Sequence, residues 1–451
     1  MELKVGDIVE GEIIDFTHEG NGILRVDNIA IFATGGLIGD QVQVEIREVK
    51  KSYCTGSVIK VIVPSKDRVE LDFEIKESKG GIPFIDYDYK KQLEWKTNKV
   101  KIDLEKIGGL TNARVHDTIG MDNPYRYRNH TQVPVGTRDD KAIIGFYEIN
   151  SNEIVDMEES ILHPELGNKI IGLIREWIEE YGILPYNKKT KTGLLKHIGI
   201  RINKDNEAMV ILVTRGNELT NQLDLVRLFS ENLKEVISLY HNVNKMDYGG
   251  TYGKRYKKIF GKDKIIDHIG DYKFTISPNS FFQTNRDQAL VLYEKTKEYL
   301  NLDSKDIILD LYCGIGSISI YVANDVKRVY GVEVGEESIK DARTNARLNK
   351  INNIEFITGK AEETLPFLIE RGIEANKIIV DPPRKGCDKK VLDAIVSINP
   401  EKIVYVSCNP TTLARDLKIL VENGYKVKEV QPVDMFPHTA HIESVTVLEK
   451  I

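Results

Sequence analysis

The sequence predicts a multidomain protein in three parts: a small N-terminal β-barrel of the OB type, an α+β middle domain and a C-terminal doubly wound α/β domain. Three observations carry this. At 451 residues the chain is long enough for several cores. Its first sixty or so residues read as short alternating strands separated by glycine turns. From Tyr272 onward, strands and helices alternate in the manner of a parallel sheet.

In the first part, residues 1–63, the strand candidates are DIVEGEIIDF, GILRV, IAIFA, DQVQVEIREV and GSVIKVIV, with EGNG and GGLIGD as turns. Such a barrel either binds RNA or serves as a structural module. Pro64 and the charged residues that follow, ending near Glu70, read as a linker. The middle part, 71–270, holds a charged helical stretch from Lys90 to Ile107 that stops at Gly108 and Gly109. The stretch HIGIRINKDNEAMVILVT reads as two strands about an Asp-Asn turn. Residues about 90–120 are expected to pack on the C-terminal part, 271–451. There the strands are DIILDLY, VKRVYGVEV, NIEFITG, NKIIVDPP and EKIVYVSCN, and a doubly wound sheet holds its ligand at their carboxyl ends.

Composition narrows the class. Hydrophobic residues are 41% and charged residues 29%, as in ordinary folded chains. The charged start MELKVGDIVE is unlike a signal peptide, and no apolar run could span a bilayer, so a cytoplasmic protein without a membrane partner is expected. Cys54, Cys313, Cys387 and Cys408 show no CxxC pairing, which points to neither disulfides nor a metal site. With 63 Lys+Arg against 69 Asp+Glu the net charge is −6, so any nucleic-acid surface must be local. Basic stretches occur at 188–196 and 248–264, where Tyr252 and Tyr256 interleave with Lys254, Arg255, Lys257 and Lys258. Stacking plus phosphate attraction uses those residue types, and a solvated loop face is the alternative.

The chemistry-bearing residues fall at strand ends. Asp310 opens DLYCGIGS, and Glu333 closes the next strand about twenty residues on. Glycines permit a tight turn beside a ligand, and a strand-end carboxylate can hold ribose hydroxyls. A dinucleotide site is disfavoured because Ser319 occupies the third glycine position of GxGxxG. Asp381 ends another strand before two prolines, which make a rigid wall or merely a stiff turn. Cys408 ends the fifth, just before Asn409, Pro410 and a helix whose dipole would favour thiolate. Cys313 and Cys387 share that edge and rank below it. Glu443, after His438 and His441, is a candidate general base.

Six motifs in order, SFFQTN, DLYCGIGS, GVE, DPPRKG, SCNPTTLARDL and FPHTAHIE, resemble those of the RNA uracil-C5 methyltransferase family. The resemblance covers most of the chain, and the N-terminal barrel is similar to the TRAM domain of its 23S rRNA branch. It implies a Rossmann-like methyltransferase domain that uses S-adenosylmethionine and an RNA substrate, with 23S rRNA favoured over tRNA and a monomer expected. Residue by residue it implies that Gln283, Tyr312, Glu333 and Asp381 contact the cofactor, that Cys408 is the nucleophile and that Glu443 accepts a proton. The uridine should flip out of its stack, with Phe281 or Phe282 either stacking on it or packing in the core. Many relatives hold an iron–sulfur centre in a middle-domain cysteine cluster. The corresponding stretch here, ESKGGIPFIDYDYKKQLEWK, has no cysteine, so no cluster and no metal are expected. Two competing readings are a non-catalytic RNA-binding protein and a cytosine-C5 methyltransferase.

Overall fold

A computed structural model describes residues 3–71, 73–75, 81–148 and 151–451. The N-terminal sheet has six strands in the order Ile8–Glu12, Gln41–Val49, Tyr53–Val63, Ile29–Thr34, Gly22–Val26, Asp15–Phe16. Alternate residues of Gln41–Val49 point inward, and Val42, Val44 and Ile46 join Leu24, Ile31 and Cys54 in the core. The two ends of the sheet meet where the Ile14 amide donates to the Ile23 carbonyl at 2.8 Å. Asp27 and Asn28, both left-handed, make the two-residue turn between Gly22–Val26 and Ile29–Thr34. The stretch read as a linker is fastened: fully buried Asp40 accepts from the Ser65 amide and from Arg68, which also pairs with Asp86.

A second sheet has seven strands: Ile154–Asp156, Lys141–Tyr147, His130–Arg138, Leu195–Ile202, Ala208–Thr214, Val236–Val243 and Arg255–Gly261. Left-handed Asn206 lies in the turn that joins Leu195–Ile202 to Ala208–Thr214. The helices Glu165–Glu180 and Gln222–Asn232 cover one face, burying Ile170, Ile174, Trp177, Leu225 and Phe229.

The C-terminal sheet has eight strands in the order Ile354–Thr358, Arg328–Glu333, Ile307–Leu311, Lys377–Val380, Lys402–Ser407, Glu443–Lys450, Tyr425–Val433, Arg114–Val115. The first five are parallel, and Ile307–Leu311, Lys377–Val380 and Lys402–Ser407 are buried almost throughout, as their near-continuous Ile/Val/Leu content requires. Glu443–Lys450 runs antiparallel between Lys402–Ser407 and Tyr425–Val433. Strand order reverses between Ile307–Leu311 and Lys377–Val380, which opens a crevice at the carboxyl ends.

Two earlier segments belong to this last sheet. Arg114–Val115 extends its edge, and the Tyr89–Lys106 helix, capped by Asp88, packs beside Pro410–Glu422. The barrel docks on the same helix, with Phe16 against Phe84 at 4.2 Å and the Trp95 indole donating to Asp15 at 2.7 Å. A hairpin, Ile265–Ile269 with Tyr272–Ile276, contributes Ile265, Ile269, Phe274 and Ile276 to the C-terminal core. Among the described residues no helix is long and apolar enough to cross a membrane.

Candidate active site

The crevice begins where Ile307–Leu311 gives way to a glycine turn. Tyr312 is left-handed at φ 65°, which a bulky residue adopts only when its surroundings hold it there. Gly316 is also left-handed, and a Cβ there would lie 2.6 Å from the Phe356 ring, whereas one on Gly314 would meet open space. Asp310 is fully buried, and it accepts from the Ser319 hydroxyl through one oxygen while the other has no partner. Burial pushes its carboxyl up to about 7. Glu333 accepts from the Gly314 amide at 3.3 Å and the Gly335 amide at 2.7 Å, so its carboxylate is held at the strand end. An orphaned buried oxygen, a carboxylate and open space beside a glycine turn fit an adenosyl cofactor with ribose hydroxyls and a positive centre.

Gln283 lies in the segment after the hairpin. Its carbonyl accepts from Asn129 at 2.9 Å, and Arg201 donates to the Ser280 carbonyl at 2.6 Å, so the middle sheet holds this segment in place. The paired phenylalanines part ways: Phe282 is buried 5.9 Å from Phe274, while Phe281 is 69% exposed.

Strand register brings Cys408 and Glu443 together. Ser407 pairs with Ser444, so one step further along this antiparallel ladder Cys408 stands opposite Glu443, which pairs on its other side with Val433. Asp381 follows the neighbouring strand, its amide donating to the Leu311 carbonyl at 3.3 Å. The four sequence candidates Asp381, Tyr312, Glu333 and Cys408 therefore share one sheet edge, with Glu443 beside them. Neither Glu443 nor Asp381 has a side-chain hydrogen bond or ion pair among the described residues. Burial and Asp381 push the Glu443 carboxyl well up, with Arg384 opposing. Burial and Asp310 push Asp381 up to about 7.

Here the structure differs from the sequence expectation of an activated thiolate. Burial, Glu443 and Asp381 push the Cys408 thiol up to about 12, with only Arg384 and backbone hydrogen bonding lowering it. Burial, and after it two nearby carboxylates, act against the N-terminus of Pro410–Glu422, whose orphan amides are in part answered by its own cap, Asn409. The free protein thus stores its thiol protonated. The other edge cysteines are enclosed: Cys313 is 7% exposed and Cys387 5%, whereas Cys408 is half-buried.

Several residues that hold the site were not found from sequence. Lys96 and Asp434 form an ion pair at 2.5 Å with both side chains at 0% exposure, and Lys96 also donates to the Phe436 carbonyl. Tyr89 donates to the second Asp434 oxygen at 2.8 Å. Gln92 approaches His438 at 3.3 Å, Tyr127 donates to the Pro437 carbonyl and Asn285 to the Met435 carbonyl. The left-handed His438 is stacked on Tyr125 at 5.1 Å and 2% exposed, so it is a structural residue. His441 stands 3.5 Å from Arg384. The only sequence signal for Asp434 was its place just before FPHTAHIE.

In the middle sheet, Tyr252 and Tyr256 are not free stacking platforms. Both pack against the large C-terminal core, and Tyr252 meets His130 at 3.1 Å. Within the stretch expected to lack an iron–sulfur centre, residues 77–80 lie outside the described residues. The rest of it packs Ile82 and Ile85 against Tyr127 and Leu162. Among the described residues no group of His, Cys, Asp and Glu is arranged to hold a metal.

Comparison with known proteins places this geometry. Residues 252–451 match the model of the tRNA (uracil-5-)-methyltransferase family. An uncharacterised RNA methyltransferase of Clostridium tetani is 43% identical, the match covering 95% of this chain and 94% of the relative. One from Halalkalibacterium halodurans is 44% identical over 99% of this chain and 98% of its own length. The crystal structure of the Pyrococcus abyssi tRNA (uracil-54, C5)-methyltransferase with S-adenosyl-L-homocysteine is similar at a TM-score of 0.77 and 30% identity, covering 98% of this chain and all of that one. A full-length match to RNA methyltransferases, joined to a Rossmann-like crevice suited to an adenosyl cofactor, makes this chain a member of the RNA uracil-C5 methyltransferase family and an S-adenosylmethionine-dependent enzyme.

Proposed function

We propose that the enzyme methylates C5 of a uridine in 23S rRNA through a covalent bond between Cys408 and C6 of the base, with Glu443 as proton acceptor. The carrying observation is the ladder register that sets Cys408 opposite Glu443 at the crevice edge. Gln283, Tyr312, Glu333 and Asp381 hold the cofactor, Glu333 through the ribose hydroxyls. When bound, S-adenosylmethionine supplies an electrophilic methyl group on a positive sulfur.

C5 of uracil is too weak a nucleophile to take that methyl group unaided. Cys408, as thiolate, adds to C6, and the displaced C5=C6 electron pair makes an enolate whose C5 becomes nucleophilic. Facing a bound cation, Asp381 and Glu443 favour their ionised forms and their repulsion of a thiolate is offset, so Cys408 can release its proton to solvent and Glu443 is free to accept one. After C5 carries both methyl and hydrogen, Glu443 takes the hydrogen as a proton. The freed C–H electrons restore C5=C6 and expel the Cys408 thiolate. Phe281, exposed beside Gln283, stacks on the flipped base, while Phe282 stays in the core.

The test uses RNA containing 5-fluorouridine, whose fluorine cannot leave as a proton. Wild type with cofactor should form an SDS-stable adduct, and Cys408→Ala should form none. Glu443→Gln should accumulate the adduct on ordinary RNA. Failure of wild type to form it, under conditions where it methylates RNA, overturns the covalent route.

For the RNA itself, similarity of the barrel to the TRAM domain of the ribosomal branch supports 23S rRNA. A tRNA substrate is the second reading, favoured by the Pyrococcus tRNA enzyme, which matches 98% of this chain and so spans the barrel as well. Mapping 5-methyluridine in rRNA and tRNA from cells with and without the gene decides between them, and loss confined to tRNA sinks the ribosomal choice. The proposal includes a monomer acting in the cytoplasm.

A further inference from the structure

The middle domain carries a cavity of about 560 Å³, within the range of small-molecule sites, lined by Lys245, Met246, Tyr248, Tyr252, Lys254 and Arg255 among others. We propose that this cavity is a second nucleotide subsite, taking an unpaired base of the substrate RNA other than the methylated uridine. The inference rests on the RNA methyltransferase reading and adds to it a second point of contact.

The lining has the two chemistries that a single-stranded nucleotide needs. Tyr248 is 87% exposed and Met246 68%, so an aromatic face and a thioether stand open for stacking. Lys245, Lys254 and Arg255 have no ion pair among the described residues, which leaves three cations for phosphates. The neighbouring acid does not cancel them. Asp247 is already taken up by Lys191, by Arg215 at 2.6 Å and by the Tyr186 hydroxyl at 2.7 Å. A site this positive and aromatic suits RNA better than an apolar peptide.

The cavity wall is also held in shape. The Asn244 side chain donates to the Gly250 and Thr251 carbonyls, both at 2.9 Å, and accepts from the Met246 amide. Asn242 accepts from the Gly253 amide at 2.7 Å. Beneath them Lys196, 5% exposed, donates to the Asn244 and Met246 carbonyls. A wall fixed beforehand loses little entropy on binding. It is tied to the active site as well: Tyr252 meets His130 at 3.1 Å, and the adjacent Asn129 donates to the Gln283 and Thr284 carbonyls. One strand end thus joins the cavity to the segment that carries Phe281.

The experiment uses the full-length protein and RNA extracted from cells lacking the gene, with tritiated methyl transfer as readout. Tyr248→Ala should raise KM for RNA about tenfold or more while leaving kcat and KM for S-adenosylmethionine unchanged, and Tyr248→Trp should restore it. Lys254→Gln with Arg255→Gln should weaken binding and lower the slope of log affinity against log salt by about 1.4, at roughly 0.7 per lost single-strand phosphate contact. RNA carrying 4-thiouridine should crosslink to the Tyr248 peptide at a nucleotide other than the methylated one. Wild-type transfer with Tyr248→Ala within twofold overturns the subsite, as does a defect seen only on ribosomal particles, which would mark a protein contact. Absence of transfer by wild type would instead overturn the enzyme's RNA reading, and the subsite with it.

Discussion

Two cysteine–carboxylate groups border the Lys402–Ser407 strand, and they are built in opposite ways. In one, Asp416 accepts from the Tyr405 hydroxyl at 2.6 Å, the Cys387 amide at 2.8 Å and Arg415 at 2.8 Å, and Tyr405 also donates to the Cys387 sulfur at 3.5 Å. Tyr405, Cys387 and Asp416 are all buried. In the other, Cys408, Glu443 and Asp381 make no side-chain hydrogen bonds among the described residues, and the thiol is half-open to the crevice. The thiols of both groups are held up at about 12. Elevated pKa therefore does not separate the packed Cys387 from the proposed nucleophile Cys408. Hydrogen bonding does: a satisfied carboxylate fixes packing, whereas unsatisfied carboxylates beside an open thiol leave free energy for a ligand to release.

The sharpest way to break this contrast is activity. Cys408→Ala should lower methyl transfer by at least about 10⁴-fold, below detection in a tritium assay, whereas Cys387→Ala should keep it within roughly fivefold. Comparable losses in both would erase the distinction.

Stability should order the carboxylates the other way. Asp416→Ala strands three donors and should cost about 2–4 kcal/mol in urea unfolding, while Glu443→Gln, which removes a desolvated unpaired acid, should cost less than about 1 kcal/mol or stabilise. A smaller effect follows with pH. Asp381 holds its proton to about 7 when folded against an ordinary value of 3.8, so between those values the folded protein binds more protons than the unfolded chain. Stability of the free enzyme should then fall as pH rises from 4 to 7, and Asp381→Asn should flatten that slope by about 1 kcal/mol per pH unit. Last, alkylation of Cys408 by iodoacetamide in the free enzyme should climb about tenfold per pH unit with no plateau below pH 10. A plateau near pH 8 would mean that the helix N-terminus wins after all.

What the sequence made legible and what it hid follow from chain distance. The motifs at Asp310, Glu333, Asp381 and Cys408 could be read because each is a short run at the end of an apolar strand, and sheet topology brings strand ends together without further information. The protonation of Cys408 could not be read, because it depends on how deeply the fold buries the thiol and on which carboxylates it sets nearby. Tyr252 and Tyr256 were misread for the converse reason: their pattern with lysines is that of an exposed face, but both pack against a core, Tyr256 from the strand paired with Val236–Val243 and Tyr252 from the loop before it, beside His130. Tyr248, in the same basic stretch, is the aromatic that stays open. Lys96 looked like one more surface lysine on a charged helix, since its partner stands 338 residues away.

That separation has a consequence for how the enzyme is made. At roughly 5–20 residues per second, a ribosome that has just added Lys96 needs about 17–68 s more to reach Asp434. Through that interval the helix bearing Lys96 exists without the charge that permits its burial, so this part of the crevice can be completed only after Asp434 has been made. The loop leading to Glu443 is then locked down by a helix made long before it. A nascent chain halted before Asp434 would carry Lys96 without its partner and Cys408 without Glu443 opposite it.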